Sequence, residues 1–98
     1  MSVINPADLL KSFLTKVTEV AKEYNRNVLL KDWVTSNYYM TQLSNFRELL
    51  ESSGIDLILH YGPEEEEKGI PLTLDYVSLE MFDDDKGHTY KLGRTRLL

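Results

Sequence analysis

Cysteine is absent from the 98 residues. That excludes a disulfide framework, a thiolate metal site and a cysteine nucleophile, and it fits a reducing compartment. Long apolar runs are absent too: the segment Ile55-Asp56-Leu57-Ile58-Leu59 is typical of the longest, and an aspartate interrupts it. Nothing here has the length to span a membrane as a helix. The opening Met1-Ser2-Val3-Ile4-Asn5-Pro6 reaches Asp8 without a basic or long apolar stretch, so it is not expected to be a signal peptide, and a cytoplasmic location is expected. Catalytic signatures are missing as well. There is no Gly-x-Ser-x-Gly elbow and no Gly-x-x-x-x-Gly-Lys phosphate loop, and the five glycines read as local punctuation. His60 and His88 lack paired-ligand spacing, so convergence across a sheet is the one way they could share a site. No catalytic residue, metal ligand or cofactor site is expected, and the chain is read as non-enzymatic.

What is present is an ordinary globular composition, 42% hydrophobic and 28% charged. A chain of this length supports one domain and one modest core, burying somewhat over ~60% of its unfolded surface.

Positive charge is the scarce sign, with 11 Lys and Arg against 16 Asp and Glu for a net of −5. Residues 1–54 balance: Lys11, Lys16, Lys22, Arg26, Lys31 and Arg47 meet Asp8, Glu19, Glu23, Asp32, Glu48 and Glu51. The imbalance therefore lies wholly in 55–98. There, the acids Asp56, Glu64, Glu65, Glu66, Glu67, Asp75, Glu80, Asp83, Asp84 and Asp85 precede a short basic tail of Lys86, Lys91, Arg94 and Arg96. Clustered like charge either merely solvates a surface or steers a basic partner toward it. Direct nucleic-acid binding by the acidic half is disfavoured, because that affinity comes largely from neutralising phosphates.

The first half has a helical period. Asn5 can cap, Pro6 suits the first helical position and Asp8 meets the positive helix end. Leu10, Phe13, Leu14, Val17, Val20, Ala21 and Tyr24 then form one apolar stripe, and Asn25-Arg26-Asn27 is expected to end the helix. Residues 28–36 fit either a short helix packed by Trp33 or a strand. Ser36 or Asn37 can cap a second helix whose stripe runs Tyr39, Leu43, Phe46 and Leu50, closed by Gly54 in a left-handed position. After Gly54 the period becomes two. A strand is expected from Ile55 to about Tyr61, and a loop across the four glutamates. A long strand follows over 72–82, with apolar alternation at Leu72, Leu74 and Tyr76 that shifts to Val77, Leu79 and Met81, predicting a β-bulge near Tyr76-Val77. Asp83 to Gly87 is a hairpin turn, and His88 to Leu92 returns as a strand that 93–98 either extend or leave frayed.

Helices followed by strands predict an α+β fold: one domain over 1–98, with two N-terminal helices (1–54) packed on a three-stranded antiparallel β-meander (55–98). The Asp83-Asp84-Asp85 turn fails as a calcium loop, since position 6 would be His88 and position 12 Arg94. A helix-turn-helix over 30–50 lacks a basic footprint, Arg47 being the one base on its second helix. The expected function is therefore protein binding, in which Glu64–Glu67, Asp75, Glu80, Asp83–Asp85 and the edge residue Tyr38 meet a basic protein surface. The acids spread along the sheet have the layout of a DNA mimic, which suggests an inhibitor or modulator of a nucleic-acid-handling protein, or one of immunity type. A homo-oligomer built on the apolar helix face, with the acids serving solubility, is the alternative.

Overall fold

A computed structural model describes residues 6–62 and 73–97. Two helices, α1 (Pro6–Leu29) and α2 (Trp33–Glu51), precede three strands, β1 (Ile55–Tyr61), β2 (Leu74–Asp83) and β3 (His88–Arg96). The strands form one antiparallel sheet in the order β1-β2-β3, which is the expected α+β meander. Asn5, Leu72 and Glu64–Glu67 lie outside the described residues.

The helical hairpin covers one face of the sheet, α2 over β1 and α1 over β2 and β3. Between the layers lie Val17, Val20, Ala21, Tyr24 and Val28 of α1, Leu43 and Leu50 of α2, Leu57 of β1, and Leu74, Val77 and Leu79 of β2. Each of these valine and leucine side chains contributes about 1.5–3 kcal/mol on leaving water. Phe13 and Phe46 meet edge to face across the helix pair, with ring centroids 6.2 Å apart. Burial pushes the Tyr24 phenol above its ordinary pKa, and Tyr61 adds to the shift.

The helix boundaries differ from the periodicity reading. The first helix continues through Asn25-Arg26-Asn27 to Leu29, because Asn25 is only 5% exposed and spends its amide on the sheet. Its side-chain nitrogen donates to the Leu74 carbonyl and its oxygen accepts from the Leu74 N–H, both at 2.7 Å. One asparagine thus satisfies both peptide groups of a strand residue from a helix.

Residues 28–36 are neither a separate short helix nor a strand. The N–H of Lys31 donates to the Val28 carbonyl and that of Asp32 to the Asn27 carbonyl. This double closure ends a helix on a left-handed residue, here Lys31 with φ 59°. Asp32 caps α2 in place of Ser36 or Asn37, accepting from the Thr35 N–H at 3.1 Å and the Thr35 hydroxyl at 2.7 Å. Ser36 is instead interior to the helix, its hydroxyl donating back to the Asp32 carbonyl. Gly54 takes the expected left-handed position with φ 76°, and Gly87 in the hairpin turn has φ 66°, whereas Gly93 is no punctuation but lies within β3 against Leu14.

In the sheet, β2 begins at Leu74 among the described residues, and β3 extends through Gly93 to Arg96. The expected bulge exists but lies earlier than Tyr76-Val77. His60 pairs with Tyr76 while Tyr61 pairs with Leu74, leaving Asp75 as the extra residue. A second register break, unforeseen, leaves Leu92 of β3 between the pairs Leu79–Gly93 and Glu80–Lys91.

Candidate functional site on the open face of the sheet

Among the described residues, helices cover one face of the sheet, and the two bulges decide what the other presents. Strict alternation from Leu74 would send Tyr76 inward. The extra Asp75 turns it outward, opposite His60. Regular spacing would likewise put Lys91 and Arg94 on opposite faces. The extra Leu92 brings both to the outer face, Lys91 opposite Glu80 and Arg94 opposite Ser78. Bulges of this kind re-aim side chains next to functional sites.

The outward residues assemble into a layered cluster. The His60 and Tyr76 rings stack with centroids 3.9 Å apart and planes 14° from parallel. The Arg94 guanidinium lies 3.9 Å from the Tyr76 centroid, a cation–π contact supplied by the other flanking strand. His60 Nε2 and Ser78 Oγ share a hydrogen bond of 2.9 Å, the hydroxyl donating when Nε2 is unprotonated. Around them is a cleft of about 330 Å³ lined by His60, Tyr76, Ser78, Glu80, Lys91 and Arg94. Ser78 forms part of its floor and is only 7% exposed despite lying on the uncovered face.

The acids expected to meet a partner separate into two environments. Asp75 and Glu80 each have a basic residue on the neighbouring strand β3. Arg96 Nε is 4.0 Å from the Asp75 carboxylate, and Lys91 stands across from Glu80. The basic tail is therefore a strand that interleaves with the acids of β2. Asp83, half-buried, and the exposed Asp84 and Asp85 form the end of the β2–β3 hairpin. Asp83 has a structural task there, its Oδ1 accepting from the N–H groups of Asp85 and Lys86 at 3.0 and 3.4 Å. Directly behind the turn, Met81, Phe82 and Tyr90 are exposed, Phe82 by 53%. Tyr38 is 59% exposed on α2, its ring edge-on to Tyr39 at 5.2 Å.

The two histidines do not converge. His60 pairs with Tyr76 near one end of β2, whereas His88 pairs with Asp83 at the other. Among the described residues no group of three or more His, Asp or Glu side chains is arranged to hold a metal ion, and no helix is long and apolar enough to cross a membrane. Sequence reasoning missed the His60–Ser78 pair, the Tyr76 stack and Arg94, since their meeting depends on register and on two bulges. The phase shift in the alternation at Tyr76-Val77 was the one available signal.

Comparison with known proteins adds no relative: no protein family, curated protein or solved structure matches this chain.

Proposed function

We propose that this chain is a small, non-enzymatic protein-binding module whose β2–β3 hairpin end docks a basic protein surface. The supporting observation is the exposure of Met81, Phe82 and Tyr90 immediately behind Asp83–Asp85. Aromatic and methionine side chains carry much of the affinity at protein interfaces, and flanking carboxylates steer a cationic partner and fix its register. A basic, nucleic-acid-handling protein fits this chemistry, with inhibition or modulation as the consequence of docking. In the sequence, the acidic segment Glu64–Glu67 lies between β1 and β2. It extends the acidic character to a second contact or serves solubility.

The test is capture from a lysate of the source cells, using the wild type and the triple variant Phe82→Ser, Asp84→Asn, Asp85→Asn, which spares the turn-forming Asp83. A basic protein retained by the wild type, released by moderate salt and lost from the variant is the expected result. Equal retention by both would refute the hairpin reading.

One observation favours a second reading. From Trp33 to Phe46 α2 contains no charged residue, and Trp33, Val34 and Tyr38 are exposed beside Leu29 and Leu30 at the helical corner. Surface helices usually carry charge on the solvent face. A homo-oligomer through this corner would show twice the monomer mass in sedimentation, and that mass would persist in high salt.

A further inference from the structure

We propose that the outer-face cleft is a binding site for a phosphate-type oxyanion, separate from the hairpin end. Its walls bring two cationic side chains and a hydroxyl to one cavity of about 330 Å³. Lys91 and Arg94 share a face only because Leu92 is bulged out of register. Neither has a carboxylate within 4.0 Å among the described residues. Arg94 is held by its contact with Tyr76, which fixes the guanidinium while leaving its N–H donors for a ligand. On the open face of a sheet such an arrangement costs side-chain entropy, and a bound anion offsets that cost through charge-assisted hydrogen bonds.

The Ser78–His60 pair gives the site a polar floor. When His60 Nε2 carries a proton it donates to Ser78 Oγ, and the serine hydroxyl is then free to donate into the cleft. The anion therefore selects that polarity of the pair. Glu80 is the opposing group: its carboxylate lines the same cleft across from Lys91. Two cations against one carboxylate leave a net positive site inside a chain of net charge −5. A tetrahedral phosphoryl group, with several acceptor oxygens, suits three donor side chains from two strands that line one cleft. It can come as a free small molecule or as a phosphorylated side chain.

Titration of the ¹⁵N-labelled full chain with inorganic phosphate, followed by amide chemical shifts, tests the site, with sodium chloride at matched ionic strength as the control. Saturating shifts confined to 76–80 and 91–94 are expected. Arg94→Gln should weaken binding at least about tenfold, the usual consequence of losing a charge-assisted contact. Glu80→Gln should tighten it, a gain that a merely damaged fold cannot imitate. A short neutral peptide containing phosphoserine separates the sources: tighter binding than phosphate identifies a carried group, and equal binding a free one. Shifts reproduced by chloride, scattered over the surface, or unmoved by Arg94→Gln and Glu80→Gln would overturn the assignment.

Discussion

Replacing Asn25 by alanine is the sharpest perturbation of this fold. The side chain makes two hydrogen bonds of 2.7 Å to Leu74, a residue with no exposed surface. Each bond contributes a net of about 0.5–1.5 kcal/mol, and a buried peptide group left without a partner costs about 1–3 kcal/mol. Alanine returns roughly 0.5 kcal/mol as the better helix former. The expected loss is about 2–4 kcal/mol, a large share of the roughly 5–15 kcal/mol that stabilises a domain. Urea unfolding should show it as a lower midpoint with an unchanged slope. Asn25→Asp refines the test, because it keeps the acceptor for the Leu74 N–H but turns a second oxygen toward the Leu74 carbonyl. Burial and that carbonyl raise the aspartic acid's folded pKa above its unfolded value, and the protonated acid restores the missing donor. Its contribution is therefore complete below the unfolded pKa and lost as pH rises through the folded one. The variant should approach wild-type stability near pH 4 and fall behind it at pH 7. A deficit below about 0.5 kcal/mol for the alanine variant would refute the clasp as a stabilising contact.

Two further outcomes follow from the helical corner. Lys31 adopts φ 59° at the end of α1, so Lys31→Gly should raise unfolding stability by about 0.5–1 kcal/mol once the glycine's greater unfolded entropy is subtracted; unchanged or lower stability in urea would contradict the strain. Asp32 has its pKa held below the ordinary value, first by the Thr35 N–H and then by the Thr35 hydroxyl. A depressed folded pKa contributes stability above the unfolded value and loses it as pH falls through the folded one. Acid titration of unfolding should show this loss in the wild type and a flatter profile in Asp32→Asn, and identical profiles would remove the cap from the account.

The architecture was legible because its signals are periodic. The α1 stripe and the change of period after Gly54 fix two helices and a meander without reference to long-range contacts. The helical corner was obscured because its left-handed position is Lys31 rather than glycine, and because Asp32 and Ser36 are both plausible caps. Only the Thr35 contacts distinguish them. Asn25 read as a terminator for a similar reason: its composition says helix end, while its partner is 49 positions away. For the cleft, the sequence displays His60, Tyr76, Ser78 and Arg94 as isolated polar residues. They become neighbours through strand pairing, and the phase shift in the sequence falls after Tyr76 whereas the extra residue is Asp75, which turns Tyr76 to the outer face. The acidic residues were plain in the sequence, but the pairing of β3 with β2 was needed to see that Arg96 and Lys91 stand beside Asp75 and Glu80.

Among the described residues, the outer margin of β1 pairs with no other strand. Arg47 reaches from α2 to donate its Nε hydrogen to the Leu57 carbonyl at 3.3 Å. That places the outward peptide groups of β1 at Ile55, Leu57, Leu59 and Tyr61, since Asp56, Ile58 and His60 face β2 in alternation. An uncovered strand margin is a template on which another chain can add, and proteins discourage this with charged side chains along it. Two copies of β1 meeting antiparallel about Ile58 would set Asp56 opposite His60 and Leu57 opposite Leu59, a self-complementary match. The arginine sits on the carbonyl such an addition would need. Strand addition at that point would have to displace the Arg47 side chain. Arg47→Ala should therefore raise the average mass seen in sedimentation as protein concentration rises, and a mass unchanged from the wild type at every concentration would refute this.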